Sequence, residues 1–258
     1  LLLQLGHTAP VADADLYAPR GKDPIVVSVA EDDLIKVWDA ERGTLTATWP
    51  WKGERQPKRV LIAPGGNVAL IFPRWSPPWR VDLQTGEHEL LGSGRAPELE
   101  ALCHTRDRKL VAVSRSGEQV QLFTFPGMEP RGAPPVKKTG GMAECAFSHD
   151  GRVLALGDKG GRVSWYDVRK NLEPLDLRDM DLAMDGLAHK RGTQTWAIKG
   201  RKDTVLWDLT TRKSTTSWRS QGSHGFVAWH PDGKRLISGG HGTRDFRLVD
   251  AATGQTDV

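Results

Sequence analysis

The sequence predicts an all-β protein, a β-propeller of six four-stranded blades, from three observations. A hydrophobic segment that ends in Asp recurs at a nearly constant interval. A turn rich in Gly, Asp and Pro precedes each ending, and a second turn follows most of them. Short runs of β-forming residues lie between the turns, and no amphipathic helical pattern exceeds two turns. Units of four strands that repeat about every 40–45 residues are typical of a propeller.

The recurring ending sets the period. The copies end at Asp39, Asp82, Thr124, Asp167, Asp208 and Asp250. Successive endings are 43, 42, 43, 41 and 42 residues apart. Intervals this uniform are not expected by chance, so the chain consists of six units of one kind.

The turns and the runs between them assign the strands of each unit. Pro64–Asn67 and His230–Gly233 are typical turns, because Gly and Asp tolerate positive φ and Pro presets its own φ. Short strands that are spaced roughly 8–12 residues apart and separated by such turns are typical of all-β proteins. The clearest predicted strands are Pro24–Val29, Val68–Phe72, Leu110–Val113 and Arg152–Leu156.

The first unit resembles a complete WD40 repeat, because Gly6-His7, Ser28, Asp32 and Trp38-Asp39 match the motif of that family. The resemblance implies a structural tetrad in which His7, Ser28, Asp32 and Trp38 are joined by hydrogen bonds within one blade. Later units resemble weaker members of the family. Their positions for Gly-His hold Gly94-Arg95 or Gly140-Gly141, so these blades are expected to depend more on apolar packing.

The register of the termini predicts a single domain, residues 1–258. Leu1–Leu5 have the pattern of an outer strand that belongs to no following blade. The chain ends at Gly254–Val258, where the sixth unit still needs an outer strand. The N-terminal strand would then complete the sixth blade and close the ring, which removes the sheet edges. The alternative is a part of a seven-bladed or longer WD40 array. Since the chain lacks an initiator Met, we expect a processed or excised product.

Composition excludes several other classes of protein. The 258 residues are 38% hydrophobic and 26% charged, as in ordinary globular domains. Cys103 and Cys145 are too few for a disulfide framework, and no Cys/His cluster indicates a metal. No apolar run approaches the roughly 20 residues of a membrane helix. We therefore expect no membrane association and a cytoplasmic location.

Signatures of enzymes are absent from the sequence. It contains neither a Gly-x-Ser-x-Gly elbow nor a His-Glu-x-x-His motif. The glycine-rich segment Gly239–Gly242 precedes no helix, so we interpret it as a flexible loop between strands and not as a phosphate site. We expect no catalytic residues, no metal and no cofactor.

The loops that join blades, and those between second and third strands, should share one face of the ring. They carry a net charge of about +6, which leaves about −2 for the remainder. Trp51 and Trp75 belong to these loops, and exposed Trp beside Arg is typical of a binding hot spot. The alternative is that both indoles fold back over the blade edge. The predicted partner-binding face contains Trp51, Lys52, Arg55, Arg74, Trp75, Arg95, Arg115, Lys137, Lys159, Arg201 and Arg244.

These observations predict a non-catalytic scaffold or sensor propeller. Its partner would be a protein, with an acidic segment favoured by the basic face, or other domains of a larger parent chain. One alternative is a hydrolase or cofactor-binding enzyme with a site at the central channel, for which His241 is the residue to test. Another is nucleic-acid binding through the basic face, which is disfavoured because no stacked-aromatic motif or dense basic run accompanies the charge.

Overall fold

A computed structural model describes residues 6–19, 21–135, 141–180, 182, 184–219, 223–241 and 246–257. Across these ranges, 24 strands form six antiparallel sheets of four strands each. The only helical segment in these ranges is a 3-10 turn at Val168–Lys170. The all-β prediction is therefore confirmed. The chain divides into two compact units, which we describe separately.

The first unit comprises Leu1–Leu99 and Thr124–Glu129. Sheet 1 contains the strands β1 Val11–Tyr17, β2 Ile25–Ala30, β3 Leu34–Asp39 and β4 Thr44–Pro50. Sheet 2 contains the strands β5 Pro57–Ile62, β6 Val68–Pro73, β7 Trp79–Asp82 and β8 His88–Leu90. Alternate residues of the inner strands, such as Val27 and Val29 on β2, are fully buried in one apolar core. The outer strand β4 alternates between exposed and half-buried residues, as expected for a strand with one face in solvent.

Acidic side chains of β1 join sheet 1 to sheet 2. The carboxylate of Asp13 accepts the N–H of Val60 at 2.9 Å, and that of Asp15 accepts the N–H of Ile62 at 2.7 Å. Burial raises the pKa of Asp13, although its hydrogen bond from Val60 acts in the opposite direction. These bonds satisfy backbone donors of β5 that no neighbouring strand reaches.

The second unit comprises Glu100–Phe123 and Pro130–Val258. Sheet 3 contains the strands β9 Leu99–His104, β10 Leu110–Arg115, β11 Gln121–Thr124 and β12 Pro130–Gly132. Sheet 4 contains β13 Met142–Phe147, β14 Val153–Asp158, β15 Arg162–Asp167 and β16 Glu173–Asp179. Sheet 5 contains β17 Met184–His189, β18 Thr195–Gly200, β19 Asp203–Asp208 and β20 Lys213–Arg219. Sheet 6 contains β21 Ser223–Trp229, β22 Arg235–His241, β23 Arg247–Asp250 and β24 Thr256–Asp257.

Indole rings fill the core between sheets 4 and 5. Trp165 and Trp196 are fully buried, and the ring of Trp165 stacks on Trp207 with centroids 6.0 Å apart. A disulfide between Cys103 and Cys145 also joins β9 to β13, the first strands of sheets 3 and 4. The two cysteines lie 42 residues apart, one repeat period, so they occupy the same position in successive units. One cross-link is thus present where the sequence predicted no disulfide framework.

Two predictions made from the sequence concern sheet 6. Gly239–Gly242 was predicted to be a flexible loop, which is wrong for Gly239–His241, because they extend β22 and pair with β21. A Cβ atom at Gly239 would lie 2.9 Å from the rings of Phe226 and Phe246, so close packing explains this glycine. The fourth strand of sheet 6 is its own β24, whereas Leu1–Leu5 lie outside the described residues. Closure by the N-terminal strand and a single domain stay predictions.

No helix in the described part of the chain is long and apolar enough to cross a membrane.

Candidate functional site

The four predicted tetrad residues lie together in sheet 1. The Nε2 atom of His7 is 2.7 Å from the hydroxyl of Ser28, and its Nδ1 atom is 3.0 Å from the carboxylate of Asp32. The indole N–H of Trp38 donates to the same hydroxyl at 2.9 Å. The hydroxyl of Ser28 thus joins a residue of β3 to the segment that precedes β1. Both ring nitrogens of His7 are occupied, which is the arrangement of a structural network.

Asp32 anchors the other end of this network. Burial acts to raise the pKa of Asp32, but the backbone N–H of Thr8 and the imidazole of His7 outweigh it, so the pKa is lowered. Its carboxylate also accepts the N–H of Leu34 at 3.2 Å, which closes the turn between β2 and β3. The ammonium of Lys36 donates to the carbonyl of Gly6 at 3.0 Å. These contacts tie residues 6–8 to the β2–β3 turn.

The next connection of the first unit is organised by Trp51. Its side chain is only 7% exposed and its N–H donates to the carbonyl of Arg55 at 2.8 Å. The ring packs edge to face on Trp79, with centroids 5.7 Å apart, and lies 5.8 Å from His88. The prediction that Trp51 is an exposed anchor is therefore wrong. Its apolar area is buried and its one donor is satisfied within its own loop.

Trp75 has a different environment. It is 39% exposed, in the loop between β6 and β7. The guanidinium of Arg74 lies 4.8 Å from the centre of its ring, within the range of a cation–π contact. The Nε atom of Arg74 is also 2.6 Å from a carboxylate oxygen of Glu98. Arg74 is therefore held between an indole face and a carboxylate.

The loops around Trp75 are joined by backbone hydrogen bonds. The carbonyl of Arg74 accepts the N–H of Leu99 at 2.9 Å, and that of Trp75 accepts the N–H of Ala96 at 3.3 Å. Lys58 donates to the carbonyl of Leu99 and lies 3.7 Å from Glu98. We define the sheet-2 loop surface as residues 52–58, 74–78 and 91–98. It contains five basic and two acidic residues, a net charge of +3.

Lys58 is the most enclosed cation of the sheet-2 loop surface. Burial lowers the pKa of its ammonium, and the charges of Arg74 and Arg59 act in the same direction, while Glu98 partly offsets them. Its pKa is lowered overall because the two positive neighbours and desolvation exceed the one carboxylate. Glu98 is thus the residue that keeps these cations together.

Comparisons with known proteins complete this picture. No family model matches the chain. Two curated relatives, eukaryotic translation initiation factor 3 subunit I of Saccharomyces cerevisiae strains YJM789 and ATCC 204508/S288c, are each 24% identical over 184 residues. The match covers 68% of this chain and 42% of each relative, so the chain spans less than half of their length.

A solved structure has a similar fold. A chain from the crystal structure of the mitotic checkpoint complex matches with a TM-score of 0.75 at 15% identity. The match covers 91% of this chain and 73% of that chain. The six-fold repeat, the tetrad and these relatives agree. Together they support a resemblance of the chain to WD40-repeat proteins.

The remaining residues of the predicted face differ in their exposure. Arg95 in the sheet-2 loop surface is exposed, as are Lys52 and Arg55. Arg115, at the end of β10, is only 9% exposed and burial lowers its pKa, so its prediction as an exposed contact is wrong.

Two further residues of the predicted face lie in the second unit. Lys159 and Arg201 are exposed in the β14–β15 and β18–β19 turns. Lys137 and Arg244 lie outside the described residues. In the described ranges no group of three His, Cys, Asp or Glu side chains is arranged to hold a metal ion.

Sequence reasoning missed Glu98. No repeat landmark marks this position, and its role comes from contacts with Lys58 and Arg74, which lie 40 and 24 residues earlier. The Pro-rich composition around Trp75 was the one available signal, because it marked this loop as unusual.

Proposed function

We propose that this protein is a non-catalytic interaction scaffold or sensor that binds a protein partner through the sheet-2 loop surface. The observation that carries the proposal is the exposed pair of Arg74 and Trp75. Trp and Arg are the residue types most enriched at binding hot spots. The surface has a net positive charge, so the proposed partner segment is acidic.

The preorganisation of this pair supports a binding role. The contact with Trp75 and the ion pair with Glu98 restrain the guanidinium of Arg74 before any partner arrives. A side chain that is already restrained loses less entropy on binding. The net charge of +3 would attract an acidic segment and raise its association rate at low salt.

The relatives support a protein as the partner. One is named as a subunit of a translation initiation factor, and the similar fold comes from a mitotic checkpoint complex. Both names describe assemblies of several proteins. The proposal also includes the six-bladed closed ring as the frame that presents the loops.

An affinity capture with quantitative mass spectrometry tests the proposed surface. The tagged wild-type chain is compared with a variant that combines Arg74→Ala and Trp75→Ala. The control combines Leu177→Ala with Lys170→Ala, which removes an exposed apolar residue and an exposed cation elsewhere. We expect a set of proteins that the wild type and the control retain and the surface variant loses.

The acidic nature of the partner is tested on a captured protein after its purification. Its association rate with the wild type should fall as the salt concentration rises. Retention of every captured protein by the surface variant would show that another part of the chain binds them. An association rate independent of salt would remove the acidic segment from the proposal.

We propose a cytoplasmic location for this scaffold, and the Cys103–Cys145 disulfide is the observation that opposes it. Disulfides persist in oxidising compartments and are rare in the cytosol. Alkylation of free thiols at the moment of cell lysis decides between the two. Two alkylated cysteines would support the cytoplasmic location, and two protected cysteines would contradict it.

A further inference from the structure

A cleft of about 640 Å³ lies between sheets 4 and 5 of the second unit, and the proposed partner surface does not use it. One wall is the β13–β14 turn, residues 148–152, and the other is the β17–β18 turn, residues 190–194. The floor includes the end of β15 and His189. A volume in this range suits a small ligand or one side chain of a larger ligand, since small-molecule sites measure roughly 300–1,000 Å³.

Arginine side chains supply most of the charge in the cleft. Arg152, Arg169 and Arg191 line it, and the first two are about 60% exposed. Arg106 reaches the same place from the β9–β10 turn, where its guanidinium donates to the ring of His149. Among the described residues, Arg191 makes no hydrogen bond or ion pair. Its five donors are therefore available to a ligand.

Two histidines of the cleft are held in the neutral form. The Nδ1 atom of His189 accepts the backbone N–H of His149 at 3.0 Å, so its Nε2–H donates to the carbonyl of Thr193 at 2.9 Å. Burial lowers the pKa of His189. Burial also lowers the pKa of His149, and the charges of Arg106 and Arg191 lower it further. The positive charge of the cleft at neutral pH therefore rests on its guanidinium groups.

Two carboxylates share the cleft, and both are already engaged. Asp150 accepts the hydroxyl of Ser148 at 2.6 Å and the N–H of Arg152 at 3.1 Å, and its second oxygen is 3.5 Å from the Nε atom of Arg152. Asp167 accepts the N–H of Arg169 at 2.9 Å and lies 3.7 Å from its Nε atom. Among the residues that line the cleft, three arginines against two aspartates give a net charge of +1, and Arg106 adds a positive charge beside His149.

We propose that this cleft binds a phosphate monoester group. A phosphate monoester carries a charge of about −1.5 to −2 at neutral pH and has three strong acceptor oxygens. These properties match the net positive charge of the cleft and the guanidinium groups that line it, because a guanidinium group binds phosphate through paired hydrogen bonds. A carboxylate has one charge and two oxygens and would leave donors unused. A metal cation is disfavoured by the same positive charge.

Calorimetric titration of the full chain tests the proposal. The probes are O-phospho-L-serine, inorganic phosphate, a phosphoserine peptide and the matching unphosphorylated peptide. We expect binding of the phosphorylated probes and no binding of the unphosphorylated peptide. Tighter binding of the phosphopeptide would identify a protein side chain as the source of the phosphate. Equal affinity for inorganic phosphate would identify a free phosphate compound as the ligand.

Variants separate the cleft from general charge effects. Arg191→Gln should weaken phosphoserine binding by about tenfold or more, because it removes charge-assisted hydrogen bonds. Arg42→Gln is the control, since Arg42 is exposed in the first unit and pairs with Asp39. Circular dichroism of both variants checks that each is folded. Broadening of the phosphorus NMR signal gives a second readout of binding.

Clear outcomes would overturn the proposal. Failure of all phosphorylated probes to bind would do so, as would equal weakening in Arg191→Gln and Arg42→Gln. The combined Arg74→Ala and Trp75→Ala variant should bind phosphoserine as the wild type does. The cleft and the sheet-2 loop surface can therefore fail independently.

Discussion

Trp38 and Trp207 occupy the same place in two repeats, one residue before the terminal Asp, but their indole nitrogens differ. The N–H of Trp38 donates to Ser28. The N–H of Trp207 is buried and finds no acceptor among the described residues. The position of Ser28 corresponds to Ile198 in sheet 5, which has no hydroxyl to offer. The same residue type therefore forms a polar network in one unit and an apolar stack in another.

Replacing each of these indoles with Phe should give unequal losses of stability. Trp38→Phe removes a hydrogen bond, whereas Trp207→Phe removes a donor that was unpaired. We expect Trp38→Phe to lower the free energy of unfolding by about 1–2 kcal/mol more than Trp207→Phe. Urea denaturation followed by circular dichroism measures both. Equal losses would show that the indole N–H of Trp207 is also satisfied.

The Asp that ends most of the repeats has a local structural role. Asp82 accepts the N–H groups of Gln84 and Thr85 at 2.8 and 2.9 Å, and Asp250 accepts those of Ala252 and Thr253 at 3.0 and 2.8 Å. These hydrogen bonds, the one from the third residue after the Asp most of all, lower the pKa of each carboxyl. Asp39 follows the same pattern with Arg42.

These aspartates should make the free energy of unfolding depend on pH in the acid range. Their pKa is lower in the folded than in the unfolded chain, so they stabilise the fold above the unfolded pKa of about 3.9. That contribution is lost as the pH falls through the folded pKa. A variant with Asp39, Asp82 and Asp250 replaced by Asn should show a flatter dependence of unfolding free energy on pH below about 5. An unchanged slope would assign acid sensitivity to other carboxylates.

At the scale of elements, neighbouring sheets are joined by different means. Asp13 and Asp15 join sheet 1 to sheet 2 through hydrogen bonds to backbone donors, while Cys103 and Cys145 join sheet 3 to sheet 4 covalently. Both connections run between first strands. The repeat therefore keeps the strand arrangement constant and varies the side chains that connect successive sheets.

The disulfide should contribute measurably to stability. It closes a loop with a sequence separation of 42, for which chain entropy in the unfolded state corresponds to about 3–4 kcal/mol. We expect Cys103→Ser with Cys145→Ser to lower the free energy of unfolding by this amount. A reductant should lower the stability of the wild type and leave the double variant unchanged. An insensitive wild type would show that the cross-link does not form in solution.

At the scale of the whole molecule, the prediction of a single domain implies that unfolding is cooperative. Sheets that share one cooperative structure should unfold in one transition, although the chain contains two compact units. We expect tryptophan fluorescence and circular dichroism to report coincident urea transitions. Two separated transitions would show that the units unfold independently.

The repeat period, the turns and the strand positions were readable from the sequence because each depends on local backbone preferences. The tetrad residues were readable because the first unit resembles a WD40 repeat. Gly239 was misread since its strand is set by pairing with β21 and by two phenylalanine rings, not by its own sequence. The burial of Trp51 and Arg115, the Arg74–Glu98 pair, the Cys103–Cys145 cross-link and the arginine cleft came from the fold. Each of these joins residues far apart in the chain, and packing free energy, which no local pattern records, determines which of them meet.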